Sequence, residues 1–180
     1  FFTLFCIFMF FNALNYADGK NGISISYSVF ILIYLGTLVQ NNILIYFIIL
    51  LLLILLYFNL KNLLFLGNSG VNLISIFISL LLIKIYNLNL SNNFYCDEIF
   101  LLMLIPGLDA ARVTIYRIYK KKSPLFPDNK HFHHYLERIM NDNYILIINL
   151  IICIIPIFIL KFLNNFYISL FIPVFIYFCL

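Results

Sequence analysis

Residues 43–58 read ILIYFIILLLLILLYF, sixteen positions in which the only polar groups are the hydroxyls of Tyr46 and Tyr57. A bilayer core of roughly 30 Å takes about 20 apolar residues per helical span, and this run with its flanks meets that length. One such run could be the core helix of a large soluble protein. Six or seven in 180 residues exclude that reading. Spans are predicted near 1–14, 23–40, 43–60, 71–86, 95–115, 144–161 and 166–180. The composition agrees: 64% of residues are hydrophobic and 10% charged, where a soluble domain carries about 25% charged residues. Mean hydropathy is +1.06. The expected fold class is therefore all-α, a polytopic transmembrane helix bundle of about seven spans, read as one domain over residues 1–180. The run at 1–14 reads as the end of a span rather than a signal peptide, so an N-terminal part of the domain is expected to be lacking. The abundance of Phe, Ile, Leu, Asn, Tyr and Lys resembles an A+T-rich coding bias.

The charges sort by side. The predicted spans alternate their connections, one side receiving 15–22, 61–70 and 116–143, the other 41–42, 87–94 and 162–165. Nine of the eleven Lys and Arg residues fall on the first side: Lys20, Lys61, Arg112, Arg117, Lys120, Lys121, Lys122, Lys130 and Arg138. Only Lys84 and Lys161 lie near the second, where the loops are rich in asparagine. This positive-inside bias marks the first side as cytoplasmic. The cysteines Cys6, Cys96, Cys153 and Cys179 are far apart and form no CxxC or Cys/His cluster, which argues against a disulfide framework or a zinc site.

Three polar clusters fall on the predicted cytoplasmic side. The first, Asn12 to Gly22 (NALNYADGKNG), places Asn12 and Asn15 three residues apart on one helix face and follows them with the turn pairs Asp18-Gly19 and Asn21-Gly22. Polar groups at the end of a span are costly and often mark a site, although a simple polar loop has the same composition. The second, Phe65 to Gly70 (FLGNSG), brackets Asn68-Ser69 with glycines that allow close backbone approach and would offer N–H groups to an anion. An ordinary turn reads the same way. The third runs from Asp109 and Arg112 through the lysines 120–122 and Ser123-Pro124 to His131, His133 and His134, the only histidines of the chain. Residues 129–140 fit an amphipathic helix capped by Asp128, with His131, His134 and Arg138 on one stripe and Phe132, Leu136 and Ile139 on the other. The polar stripe suits phosphate; a transition-metal site is the competing idea.

In this order and at these separations the clusters resemble the polyprenyl-phosphate N-acetylhexosamine-1-phosphate transferases, a glycosyltransferase family 4 type that includes the UDP-GlcNAc:undecaprenyl-phosphate transferases and phospho-N-acetylmuramoyl-pentapeptide transferase. Asn12 to Gly22 looks like the family's N-x-x-N-x-x-D-G-x-(D/N)-G motif. Phe65 to Val71 is similar to F-(L/M)-G-D-(S/T)-G-S, and Asp109 to His134 to D-x-x-R…S-P-F-x-x-D-x-x-H-x-H-H. The resemblance implies a multi-pass enzyme of the bacterial plasma membrane with a cytoplasmic active site. It would transfer an N-acetylhexosamine-1-phosphate from a UDP-sugar to undecaprenyl or another polyprenyl phosphate, with release of UMP. Implied catalytic residues are Asp18, His131, His133 and His134; implied substrate-binding residues are Asn12, Asn15, Asn21, Phe65 (stacked on uracil) and Arg112. Asn68 would ligate Mg²⁺, the implied cofactor. The implied partners are a UDP-N-acetylhexosamine, the polyprenyl phosphate and the bilayer, with room for a homodimer and no role for nucleic acid.

Two departures stand out. Asn68 occupies the position of the family's metal-binding aspartate, and the family's Asp-Asp pair on an earlier cytoplasmic loop has no counterpart, since Asp97-Glu98 falls on the opposite side. A catalytically degenerate paralogue acting as a membrane assembly partner is thus the second reading. A transporter fragment would need polar residues near the bilayer midplane, where these spans show few.

Overall fold

The computed structural model describes residues 1–39, 42–88, 90, 94–123 and 130–180. Among them the chain is all-helical: α1 (Phe2–Ala17), α2 (Ile23–Leu38), α3 (Ile43–Leu60), α4 (Gly67–Asn87), α5 (Cys96–Tyr119), a short α6 (Phe132–Leu136), α7 (Asp142–Leu163) and α8 (Phe166–Cys179). The seven longer helices coincide with the seven predicted spans. Of these, α3, α4, α5 and α7 are long and apolar enough to cross a membrane, while α1, α2 and α8 are shorter apolar helices. Apolar side chains such as Leu50, Phe158, Phe171 and Phe175 stand exposed on the outside, as they must when lipid is the surrounding solvent. The predicted loop residues Asn41, Asn89 and 91–93, the 124–127 segment and the Asp128 cap lie outside the described residues.

Helix α1 packs against α4 and α5; α5 packs also on α7 and α8, and α2 bridges α3, α4 and α7. The core lies between them, with Leu14, Ile31, Leu35, Ile78, Leu101, Val113 and Ile145 fully or almost fully buried. Two helices end on the same device. After α3, Asn62 (φ 58°) turns left-handed while Leu63 N–H donates to Phe58 O and Asn62 N–H to Asn59 O. After α5, Lys121 (φ 54°) does the same, with Lys122 N–H to Arg117 O and Lys121 N–H to Ile118 O. This is the Schellman pattern, which satisfies the last carbonyls of a helix and reverses the chain. Lysines at these ends also suit the negative end of the helix dipole.

Two predicted boundaries shift. Helix α4 begins at Gly67 rather than 71, so the Gly-Asn-Ser-Gly segment forms its first turn. Helix α5 continues past 115 to Tyr119, because Arg112 and Arg117 turn inward to partners instead of ending the span. The predicted amphipathic helix over 129–140 is corrected: among the described residues 130–140 the helix is Phe132–Leu136, and Glu137 to Met140 close as tight turns. Its stripes do not hold either, since Ile139 is exposed while Phe132 and Leu136 are buried. The cysteines are all free, and Cys153 alone is buried.

At the end of the bundle away from the polar clusters, Glu98 joins three helices. Its carboxylate accepts from Lys161 Nζ of α7 at 2.9 Å and from the Tyr34 hydroxyl of α2. Glu98 is 2% exposed, so both bonds satisfy a charge that has left water. Glu98→Ala is expected to destabilise the bundle by about 1–3 kcal/mol, read as a lowered Tm of the detergent-solubilised protein. Glu98→Gln, whose single amide oxygen can still accept from Lys161 while its NH2 donates to the Tyr34 oxygen, should lose clearly less.

Candidate functional site

The three polar clusters meet at one end of the bundle. Helices α1 and α4 run antiparallel, and the Asn15 amide on α1 donates to Asn72 Oδ1 on α4 at 3.0 Å. One turn further along, the pair opens into the Asp18-Gly19 turn on one side and Asn68 on the other. Asn59, buried at the end of α3, receives Gly22 N–H at 2.6 Å and donates to Leu64 O at 2.9 Å, while Asn21 donates to Asn62 Oδ1. The first two clusters are thereby stitched together by amides. Gly22 has φ 84°, a conformation that favours glycine, and a Cβ there would lie 2.5 Å from a Leu146 methyl and 2.8 Å from a Leu60 methyl.

The third cluster closes over this edge. Asp109 on α5 is its hub. Oδ1 accepts from Arg112 Nη2 at 2.7 Å, the Tyr177 hydroxyl at 2.7 Å and Phe132 N–H at 3.0 Å; Oδ2 lies 2.9 Å from His131 Nδ1. The bond to Phe132 N–H caps α6 from another helix, which explains why α6 starts at Phe132 and not nearer Asp128. Arg112 also donates through Nε to Tyr177 at 2.8 Å and through Nη2 to Lys130 O at 2.7 Å. His131 Nε2 lies 3.4 Å from the buried guanidinium of Arg117. An arginine can only donate, so Nε2 is the acceptor and the ring carries its proton on Nδ1, facing Asp109. Tyr16 of α1 stacks on His131 at 4.7 Å between centroids and lies under Arg117 at 5.3 Å.

His131 and His133 stack nearly parallel at 6.0 Å, and His134 tilts against His133 at 4.1 Å. His134 Nδ1 is 2.9 Å from Glu137, whose other oxygen takes Lys20 Nζ at 3.0 Å. These bonds, that of His134 first, hold the Glu137 carboxyl below its ordinary pKa. His133 is 3% exposed, and a Cβ on Gly19 would come 2.7 Å from its Nε2. The histidine loop therefore lies directly against the Asp18 turn. Asp18 bonds the Ser24 hydroxyl, and its burial raises its pKa, an effect this bond opposes.

Of the residues implied by resemblance, Asp18, Asn15, Asn21, Arg112, His131, His133 and His134 are thus drawn to one end. Phe65 projects there 72% exposed, and Asn68 stands exposed in the first turn of α4. Asn12 is turned back on its own helix, its amide donating to Phe8 O at 2.8 Å. Asp109, Arg117, Tyr16, Tyr177 and Asn59 were not among the predicted site residues. The i,i+3 spacing of Asp109 and Arg112 was a legible signal for the first; Tyr177, set in an apolar run, gave none.

Among the described residues no group of three His, Cys, Asp or Glu side chains could hold a metal ion by itself. What this edge offers a cation is the Asp18 carboxylate and the Asn68 amide oxygen. That donor set fits Mg²⁺ only where substrate phosphates and water supply most ligands, as they commonly do for this ion.

Two predictions follow from the packing of His133. Burial, then the neighbouring His134 and His131, push its pKa from 6.5 down to about 4. Between those values the unfolded chain binds the extra proton, so stability is fully present above pH 6.5 and falls as the pH drops toward 4. The Tm of the wild type should decline over that window, and His133→Gln should flatten the decline. Gly19→Ala is expected to push the His133 ring from its place and destabilise by about 1–3 kcal/mol, seen in the denaturation midpoint.

No curated protein and no solved structure matches the chain. Residues 1–86, which hold the first two polar clusters, match the family model of glycosyl transferase family 4.

Proposed function

We propose that the complete protein transfers an N-acetylhexosamine-1-phosphate from a UDP-sugar to undecaprenyl or another polyprenyl phosphate, and so initiates a cell-envelope polysaccharide at the cytoplasmic face of a bacterial inner membrane. The observation that carries this reading is the contact of the histidine loop with the Asp18 turn, His133 against Gly19. It brings together clusters more than 100 residues apart, in a chain whose first 86 residues carry the family signature.

In this reading an oxygen of the lipid phosphate attacks the β-phosphorus of the UDP-sugar. The bond from that phosphorus to the bridging oxygen breaks, and UMP leaves with the bridging oxygen. Phosphoryl transfer needs positioning and charge neutralisation more than covalent help. Phe65, exposed at the rim, would stack on uracil, with Asn21 beside it and Asn15 in the nucleotide-sugar pocket. Lys20 and the histidine loop surround the phosphates with donors. Arg112, bound to Asp109 and Tyr177 through Nε and Nη2, has no Nη1 bond among the described residues and would offer that nitrogen to an incoming anion. Mg²⁺, held by Asn68 and Asp18 jointly with the diphosphate, would supply charge neutralisation.

The amide at position 68 and the lack of a self-sufficient metal cluster among the described residues favour one second reading, a degenerate membrane paralogue that acts as an assembly partner. One experiment separates them. Membranes expressing the full gene product should release UMP from a UDP-N-acetylhexosamine in a Mg²⁺-dependent manner, and Asn68→Asp should raise the rate. No UMP above the vector control, with or without the substitution, would leave the assembly role.

A further inference from the structure

Beneath the histidine loop lies a cavity of about 30 Å³ that reaches down among the helices. Four elements bring polar side chains to its wall: Ser26 and Tyr27 from α2, Asp109 from α5, His133 from α6 and Asn149 from α7. Tyr27 and His133 are each 3% exposed, and neither the Tyr27 hydroxyl nor His133 Nε2 has a hydrogen-bond partner among the described residues. Buried polar groups in folded proteins are almost always satisfied. A cavity walled only by apolar side chains stays dry, but a polar one takes up water once it offers about 10–15 Å³ and at least two partners. This one meets both conditions, with room for about two molecules.

We propose that this cavity is a buried hydration site in which water bridges the Tyr27 hydroxyl to His133 Nε2, with Tyr27 and Asn149 as positioning residues for the histidine loop. The direction of the bonds follows from donor counting. The Tyr27 hydroxyl donates to water, and water donates to His133 Nε2, which leaves the ring proton on Nδ1. Asp109 Oδ2, which lies against His131 Nδ1, accepts the second water proton, and the Asn149 amide offers a further donor. The low pKa of His133 agrees, because only a neutral ring presents an accepting nitrogen. The bridge sets the angle at which the His133 ring meets Gly19. Its effect on turnover rests on the transferase reading; the hydration itself does not.

The test uses the full-length protein in nanodiscs with ¹⁵N-labelled histidine, His133 being assigned by its loss in His133→Gln. The wild type should show His133 as the Nδ1–H tautomer, with water-to-ring magnetisation transfer at His133. Tyr27→Phe, with an unchanged far-ultraviolet dichroism spectrum, should lose that transfer and gain the Nε2–H tautomer. A wild-type ring protonated on Nε2, or one without transfer from water, overturns the proposal. So does a folded Tyr27→Phe variant with unaltered ring resonances. If Tyr27→Phe does not fold, the two wild-type readings decide. Turnover is read separately: a several-fold fall in kcat at unchanged KM for the UDP-sugar is expected, and an inactive wild type with the bridge intact would count against the transferase reading alone.

Discussion

A carboxylate carried into the interior of a membrane bundle must be surrounded by donors, and Asp109 is surrounded by four. Arg112, Tyr177, the Phe132 amide and His131 each contribute one bond. They come from α5 itself, from α8, and from the loop that carries the histidines. Satisfying one buried charge therefore decides where α6 begins, where the His131 ring stands and which of its nitrogens holds the proton. Arg117 and Tyr16 extend the same logic to α1. Partly satisfied buried networks are costly and fully satisfied ones rigid, so the loop is held in a single arrangement against the Asp18 turn.

The opposing side of the site is held in another way. Between the first two clusters the links are neutral amides: Asn15 with Asn72, Asn21 with Asn62, Asn59 with the Gly22 backbone. Neutral bonds position a backbone without adding charge, which leaves the positive character of the edge to Lys20 and the arginines. An edge rich in donors and poor in carboxylates suits a polyanionic ligand that brings its own counter-cation. It is poorly suited to a tightly resident metal.

Most of the fold was legible because a helix that faces lipid has to be long and apolar, and few other solutions satisfy its backbone. Boundaries were less legible. Arg112 and Arg117 read as the end of a span, yet they turn inward because Asp109 and His131 wait there. The histidine segment shows the limit most clearly. Its periodicity suggested a twelve-residue amphipathic helix, but a cap from a distant helix and the burial of His131 and His133 shortened it to five residues. Periodicity within a segment carries no information about a partner elsewhere in the chain. Tyr177 and Asn149 were hidden for a related reason, as single polar groups within apolar runs whose circumferences look alike.

Helix α3 shows what such runs are free to do. It packs chiefly on α2, and Ile45, Ile49, Leu52 and Asn59 are its buried residues. The rest of its circumference meets hydrocarbon, where Phe, Ile and Leu are close to interchangeable as solutes. A genome that drifts in base composition can rewrite that surface at little thermodynamic cost. Asn59, eight residues from the middle of the same rod, has no such latitude, because two loops hang from its amide. Neighbouring positions on one helix thus evolve under unlike rules, one set by solvent and the other by geometry.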